Sequence, residues 1–223
     1  MAGKSRRQPH ERRQIQVYRG AYEGLQEELY LKHLKKLIHQ CESRTYNVDF
    51  LFFCCGGGNP LIVAERAASA TVYHAEHQMK TAIFDQDLKE GQFRQALDKC
   101  KEKEVFPAYS NLCFDLWLIL HKSRFERCVN QPSQYAPIIR EIYHLPAEAD
   151  IKEEATILNI LSQIQLTDVY QAITYAMEII QKNSEVGEPC FTDRSVKYYR
   201  NPDLRMHQFI EKVLNDTGCN SCA

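Results

Sequence analysis

The chain predicts an α/β protein: a parallel sheet with helices packed on it, continued by a helical extension. Two observations carry this. Through the first half, short apolar β-prone runs alternate with stretches of helical spacing, which is the pattern of βαβ units. After about residue 125 the strand signals stop and only helical patterns follow.

Ile15, Val17 and Tyr18 form a β-prone run that ends at Gly20. Residues 25–40 then repeat Leu25, Leu29, Leu34 and Leu37 near one helical face. Val48 to Cys55 is almost continuously apolar and is halted by Gly56-Gly57-Gly58, which predicts a buried parallel strand. Asn59-Pro60 is a helix start, with Asn as the cap and Pro in the first turn, and that helix is expected to reach about Val72. Thr81-Ala82-Ile83-Phe84 is a third strand running into Asp85-Gln86-Asp87. A polar helix over 90–104, a strand over Val105–Tyr109 and an apolar helix from Asn111 to Lys122 complete the first half. Helical patterns follow near 135–144, 151–162, 167–183 and 203–216. The organisation is a basic arm at 1–13, an α/β domain at 14–125, a helical extension packed on the sheet at 126–216, and a Cys-containing tail at 217–223.

Composition narrows the function classes. With 223 residues and 44% hydrophobic content, the chain can bury one sizeable core. The formal charge is −1, from 28 Lys+Arg against 29 Asp+Glu, so any nucleic-acid surface must be a local one. The arm, with Lys4, Arg6, Arg7, Arg12 and Arg13 against Glu11, is the obvious local excess of positive charge. Apolar runs are too short to span a bilayer and the N-terminus lacks the pattern of a signal peptide, so the expectation is a cytoplasmic protein with no membrane partner. Nine cysteines, an odd number scattered through apolar runs, argue against a disulfide framework. Cys219 and Cys222 make a single CxxC, which would need a distant partner such as Cys190 to close a zinc site. A reduced tail is the simpler reading, with a zinc-dependent nucleic-acid binder as a rival.

The carboxylates carry the chemistry. In a parallel α/β sheet, functional side chains gather beyond the carboxyl ends of the strands. Glu23 falls just past the first strand and Asp85 just past the third, and Asp87 points the same way as Asp85 if the segment is extended. Carboxylates gathered so closely repel, so either their pKa values rise or a cation sits among them. An all-oxygen donor set suits Mg²⁺ or Mn²⁺.

These residues also belong to recognisable motifs. Glu23-Gly24-Leu25-Gln26-Glu27-Glu28-Leu29-Tyr30 resembles the Glu-Gly opening motif of RloB-like proteins, a Toprim-containing group, and Phe84-Asp85-Gln86-Asp87 is similar to their DxD strand. The segment Ser110 to His121 resembles their SNPxFExWLLLH, and Asn201-Pro202 the NPxT start of their last helix. The matches run in order over most of residues 15–216. The resemblance implies a Toprim-like fold, with Glu23, Asp85 and Asp87 as catalytic candidates and Mg²⁺ ligands. It implies phosphodiester chemistry on DNA or RNA and a role in prokaryotic anti-phage defence beside an ABC- or AAA-type ATPase encoded nearby. Three positions depart from the pattern: Gln26 replaces a Thr, Leu112 a Pro and Asp115 a Glu. Asp115 and Glu27 are the further metal-ligand candidates.

The substrate-binding candidates are Asn111, His121, Lys122, Lys197 and Arg200. Asn111, Asp115 and Lys122 would share one face of the expected 111–122 helix, although Asn111 is also an ordinary N-cap. His121 could contact phosphate or carry a proton, although a histidine closing an apolar helix more often packs in the core. Lys197-Tyr198-Tyr199-Arg200 interleaves cations with aromatic rings, a composition that grips phosphates and stacks bases. The three glycines after the second strand lack a Walker Lys-Ser/Thr, and read as a sharp turn near the site. The leading expectation is a Mg²⁺-dependent nuclease or nuclease subunit. The alternative is a non-catalytic interaction subunit of an ATPase-containing defence complex, and homo-oligomerisation stays open.

Overall fold

The computed structural model describes residues 13–57, 59–71, 79–86, 90–125, 127, 129–186, 191–193, 196–198 and 202–219, the segments at 191–193 and 196–198 by their backbone alone. The first half alternates strand and helix as the periodicity requires: β1 (Ile15–Tyr22), α1 (Leu25–Gln40), β2 (Asn47–Cys54), α2 (Pro60–Ala68), β3 (Lys80–Asp85), α3 (Glu90–Glu102), β4 (Val105–Asn111) and α4 (Asp115–Leu120). A single 3-10 turn (Pro132–Gln134) leads into α5 (Tyr135–Ile142), α6 (Glu154–Ser162) and α7 (Leu166–Val186). Short strands β5 (Phe191–Asp193), β6 (Val196–Tyr198) and β7 (Asp203–Leu204) precede α8 (Met206–Thr217).

The main sheet has the order β2-β1-β3-β4-β7. Its first four strands are parallel and β7 pairs antiparallel with β4. The fold is therefore α/β, with a mostly parallel five-stranded sheet and C-terminal helices, consistent with the Toprim-like expectation. Alternation along each strand sorts the core into two layers. Ala82, Phe84 and Tyr109 face α2 and α3 through Val63, Ala67, Phe93 and Ala96. Ile83 and Ala108 face the larger layer built from α1, α4 and the later helices, which includes Trp117, Ile160 and Phe209. The helical second half thus shares its core with one face of the sheet. Tyr18 of β1 donates to Asp216 of α8 at 2.7 Å, which ties the two halves of the chain together. Among the described residues no helix is long and apolar enough to cross a membrane.

Four expectations are corrected. Gly20 does not end β1. A Cβ there would lie 1.8 Å from the Thr81 carbonyl oxygen, so the glycine permits β3 to approach and the strand runs on to Tyr22. The apolar run of β2 forms an edge strand and not a buried one, and Leu51 and Phe53 are each 43% exposed. Phe50 and Phe52 pack on Phe209, whereas Phe53 on the opposite face has the Arg66 guanidinium over its ring, 4.7 Å from the centre. Asn111 is the last residue of β4 and caps no helix; α4 starts only at Asp115. Strands persist after residue 125, and residues 203–204, expected as helix, lie beside Ser110 and Asn111 as β7.

The Asn59 expectation is met, since its side chain accepts from the Ile62 N–H at 3.1 Å. The basic arm, apart from Arg13, lies outside the described residues, as do Gly58, Cys190, Asn201 and Cys222. Cys219 belongs to no loose tail. It is fully buried, and its carbonyl accepts from Tyr170 at 2.7 Å.

Candidate active site

Parallel pairing of β1 with β3 brings the carboxyl ends of both strands to one rim, and Glu23 and Asp85 meet there. The Asp85 backbone N–H donates to Glu23 Oε2 at 3.2 Å, so two residues 62 apart in sequence share a hydrogen bond at the end of β3. The turn after β2 closes over the same point. Gly57 N–H donates to the Glu23 carbonyl at 2.8 Å. Gly56 and Gly57 hold φ of +64° and +81°, the left-handed region that a Cβ disfavours.

The first turn of α1 adds Gln26 and Glu27, both buried. Glu27 closes the helix start, its Oε2 accepting from the Gly24 N–H at 3.0 Å. Burial pushes the Glu27 carboxyl above its ordinary range; its backbone hydrogen bonds and the Lys152 ammonium oppose that shift, and the Asp115 charge adds to it. Asp115, at the start of α4, is 1% exposed. Three donors surround it: Gln26 Nε2 at 3.0 Å and Lys152 Nζ at 3.1 Å on Oδ1, and the Cys113 thiol at 3.4 Å on Oδ2. Lys152 also donates to Gln26 Oε1 at 2.6 Å. Burial disfavours the Lys152 charge, but the Asp115 carboxylate, with Cys113 and Asp85 beyond it, outweighs that and holds its pKa above the ordinary lysine value.

Ser110 completes the rim. It is the register partner of Asp85 on β4, its side chain is buried, and its Oγ has no hydrogen-bond partner among the described residues. Paired residues of parallel strands present their side chains to the same face, so this hydroxyl shares the Asp85 face.

Of the sequence candidates, Glu23, Asp85, Glu27 and Asp115 therefore gather at one end of the sheet. Asp87 lies outside the described residues. Among the described residues no group of three or more His, Cys, Asp or Glu has the geometry of a metal site. The residue types at the rim are those a hard divalent cation takes: Glu23 and Asp85 are carboxylates, and the Ser110 hydroxyl beside Asp85 has no partner among the described residues. If bound there, such an ion would rest on Glu23 and Asp85.

The other candidates do not join this cluster. His121 is fully buried, with one ring nitrogen 3.1 Å from the Tyr30 hydroxyl and the other 2.8 Å from the Trp117 carbonyl oxygen. Burial lowers its pKa to about 4. It is a neutral core histidine with no face turned to a phosphate, which corrects its expected substrate role. Lys122 donates to the Gln163 carbonyl at 2.7 Å and to Asp168 at 2.8 Å, fastening α4 to α7 and not reaching the rim. Asn111 is buried at the end of β4, so the helical face expected to join it to Asp115 and Lys122 does not exist. Lys197 is described only by the backbone of β6, and Arg200 lies outside the described residues.

Sequence reasoning missed Gln26, Ser110, Cys113 and Lys152. Gln26 carried a signal, because it stands where the resembling motif has Thr. Lys152 carried none, sitting in a charged stretch that reads as a solvated surface.

No curated protein and no solved structure gives a match to this chain. A family model described as RloB-like protein matches residues 21–213, a span that includes both β-strand ends of the rim, α1, α4 and Lys152. The chain belongs to the RloB-like protein family.

Proposed function

We propose that this protein is a Mg²⁺- or Mn²⁺-dependent nuclease, or the nuclease subunit of a complex, hydrolysing phosphodiester bonds of DNA or RNA. The observation that carries the reading is the hydrogen bond from the Asp85 backbone N–H to Glu23 Oε2, which brings the Glu23 carboxylate to Asp85 at the carboxyl ends of β1 and β3, where parallel sheets bind ligands. A divalent ion held there would polarise a phosphate oxygen and lower the pKa of a water molecule. Glu23 and Asp85 supply the oxygen ligands, and Asp87 is assigned with them through the DxD pattern. Glu27 and Asp115 are second-tier ligands on this reading. The Ser110 hydroxyl is suited to donate to a phosphate oxygen, and the Gly56-Gly57 turn brings exposed backbone close to the same rim. Lys197, Arg200 and the basic arm are assigned to the nucleic-acid backbone by composition.

The resemblance extends the proposal to prokaryotic anti-phage defence beside an ABC- or AAA-type ATPase, in the cytoplasm. The test is cleavage of single- and double-stranded DNA and RNA by the full chain with Mg²⁺ or Mn²⁺. Cleavage that requires metal and disappears in Asp85→Ala supports the reading, and an Asp85→Ala protein that cleaves as fast as the wild type overturns it. An isolated chain that cleaves nothing under either metal, yet co-purifies with a neighbouring ATPase, points to a non-catalytic interaction subunit.

A further inference from the structure

At the opposite end of the sheet from the rim, the ends of α1 and α8 are held against each other. α1 begins at the rim and finishes close to the first residues of β1 and β2. There the Thr217 carbonyl accepts from the Thr45 and Tyr46 N–H groups at 2.8 and 3.2 Å. Gly218, with φ of +75°, allows the approach, because a Cβ there would lie 2.6 Å from Thr45 Oγ1. Two free cysteines sit inside this contact: Cys41 caps α1, and Cys219 follows the cap of α8. The Ile38 carbonyl oxygen accepts from the Cys41 N–H at 3.1 Å and lies 4.0 Å from Cys219 Sγ. Ser43 Oγ is 3.2 Å from Cys41 Sγ and donates to the Gly218 carbonyl at 3.3 Å. The two thiols themselves meet, Cys219 as the donor and Cys41 as the acceptor.

The two sulfurs are not equivalent. Cys41 is partly exposed, whereas Cys219 is fully buried. Burial raises the Cys41 thiol, but hydrogen bonds from Ser43, from Cys219 and from the Ser43 and Arg44 backbone outweigh it and hold the pKa below the ordinary thiol value. Burial pushes Cys219 up to about 12, and its bond to Cys41 adds to that. An accessible, thiolate-prone sulfur beside a buried thiol is the arrangement of an attacking and a resolving cysteine.

We infer that Cys41 and Cys219 are a peroxide-responsive pair, which hydrogen peroxide joins into a disulfide that clasps the end of α1 to the end of α8. The Cys41 thiolate attacks one peroxide oxygen and the O–O bond breaks. The sulfur keeps that oxygen as a sulfenic acid, and the other leaves as hydroxide and takes up a proton to become water. The Cys219 sulfur then attacks the Cys41 sulfur, the S–O bond breaks, and the hydroxyl leaves as a second water with the Cys219 proton. Two thiols have lost two electrons and one peroxide has gained them. The bond closes almost the whole chain into one loop, so it removes conformational freedom chiefly from the unfolded state.

The experiment treats the reduced full chain with one equivalent of hydrogen peroxide. Digestion without reductant and peptide mass spectrometry then locate the product, with thermal melting in parallel. The expected product is a linked Cys41–Cys219 peptide, with a melting midpoint raised by roughly 5–15 °C and restored by dithiothreitol. Cys41→Ser is expected to lose the link and the shift together, while Cys54→Ser, which alters an exposed thiol elsewhere, keeps both. Cys219 linked to Cys222 instead, or Cys41 carried on to sulfinic acid without a link, overturns the pairing. A linked chain that melts no higher than the reduced one overturns the clasp.

Discussion

Glu23 Oε2 accepts the backbone N–H of Asp85 at 3.2 Å, so one carboxylate both marks the proposed metal position and holds the end of β3 in place. The two roles separate by substitution. Glu23→Gln keeps an oxygen acceptor for that N–H but loses the charge, and Glu23→Ala loses both. Glu23→Gln should melt close to the wild type while cleavage falls roughly 10²–10⁴-fold, the range for a positioned acid or base group. Glu23→Ala should lose cleavage and a further ~1–2 kcal/mol of stability for the partly buried hydrogen bond. Denaturant unfolding and cleavage rates check this, and a Glu23→Gln protein with wild-type cleavage would sink it.

The two kinds of glycine near the rim predict different costs. Alanine at Gly20 would put a Cβ 1.8 Å from the Thr81 carbonyl oxygen and 2.8 Å from the Phe52 ring, so β1 and β3 would have to separate. Gly20→Ala should therefore cost 3 kcal/mol or more, about the top of the range for overpacking, and reduce soluble yield. At Gly57 a Cβ meets nothing within 4 Å, and the only penalty is φ of +81°. Gly57→Ala should cost about 1–2 kcal/mol. Equal melting temperatures for the two variants would contradict this ranking.

Local pattern and strand order explain what was legible in the sequence. The 25–40 helix was read at its observed ends, because leucine spacing and the boundary residues agree there. The meeting of Glu23 with Asp85 followed from a general property of parallel sheets, in which strand ends collect at one rim whatever the loops between them do. The edge position of β2 was not legible, since an apolar run reads alike at the centre and the border of a sheet, and only strand order separates the two. α4 was read too long because Ser110 and Asn111 prolong β4, where pairing with β7 decides the conformation. Lys152 joins Gln26 across 126 residues, and no local spacing encodes such a contact.

Two buried histidines predict an acid-sensitive fold. Burial holds both His121 and His207 at about 4, with Arg205 lowering His207 further. An unfolded histidine titrates near ~6.5. Between these values the unfolded chain binds more protons, so each site's contribution is complete above about pH 6.5 and is lost as the pH falls through about 4. For a shift of this size the loss is on the order of 2–3 kcal/mol per site at pH 4.5. Urea unfolding at pH 7 and pH 4.5 should show a smaller drop for His207→Gln than for the wild type, by roughly that amount. Identical drops would show that His207 does not titrate with unfolding.

Ser110 separates stability from function most cleanly. Its hydroxyl is buried beside Asp85 with no partner among the described residues, and a buried unsatisfied polar group costs about 1–3 kcal/mol. Such a residue should be improved by Ser110→Ala if it served the fold alone, since the methyl fits the space and the unmet hydroxyl disappears. If the hydroxyl instead donates to a substrate phosphate, the same change should lower cleavage about 10-fold, the worth of one neutral hydrogen bond of about 1.4 kcal/mol. The expected variant is thus as stable as the wild type or more so, and a poorer enzyme. Unchanged cleavage together with raised stability would make Ser110 a packing residue with no part in the reaction. A loss of stability would mean that the hydroxyl already has a partner, and the argument for a phosphate contact would fall.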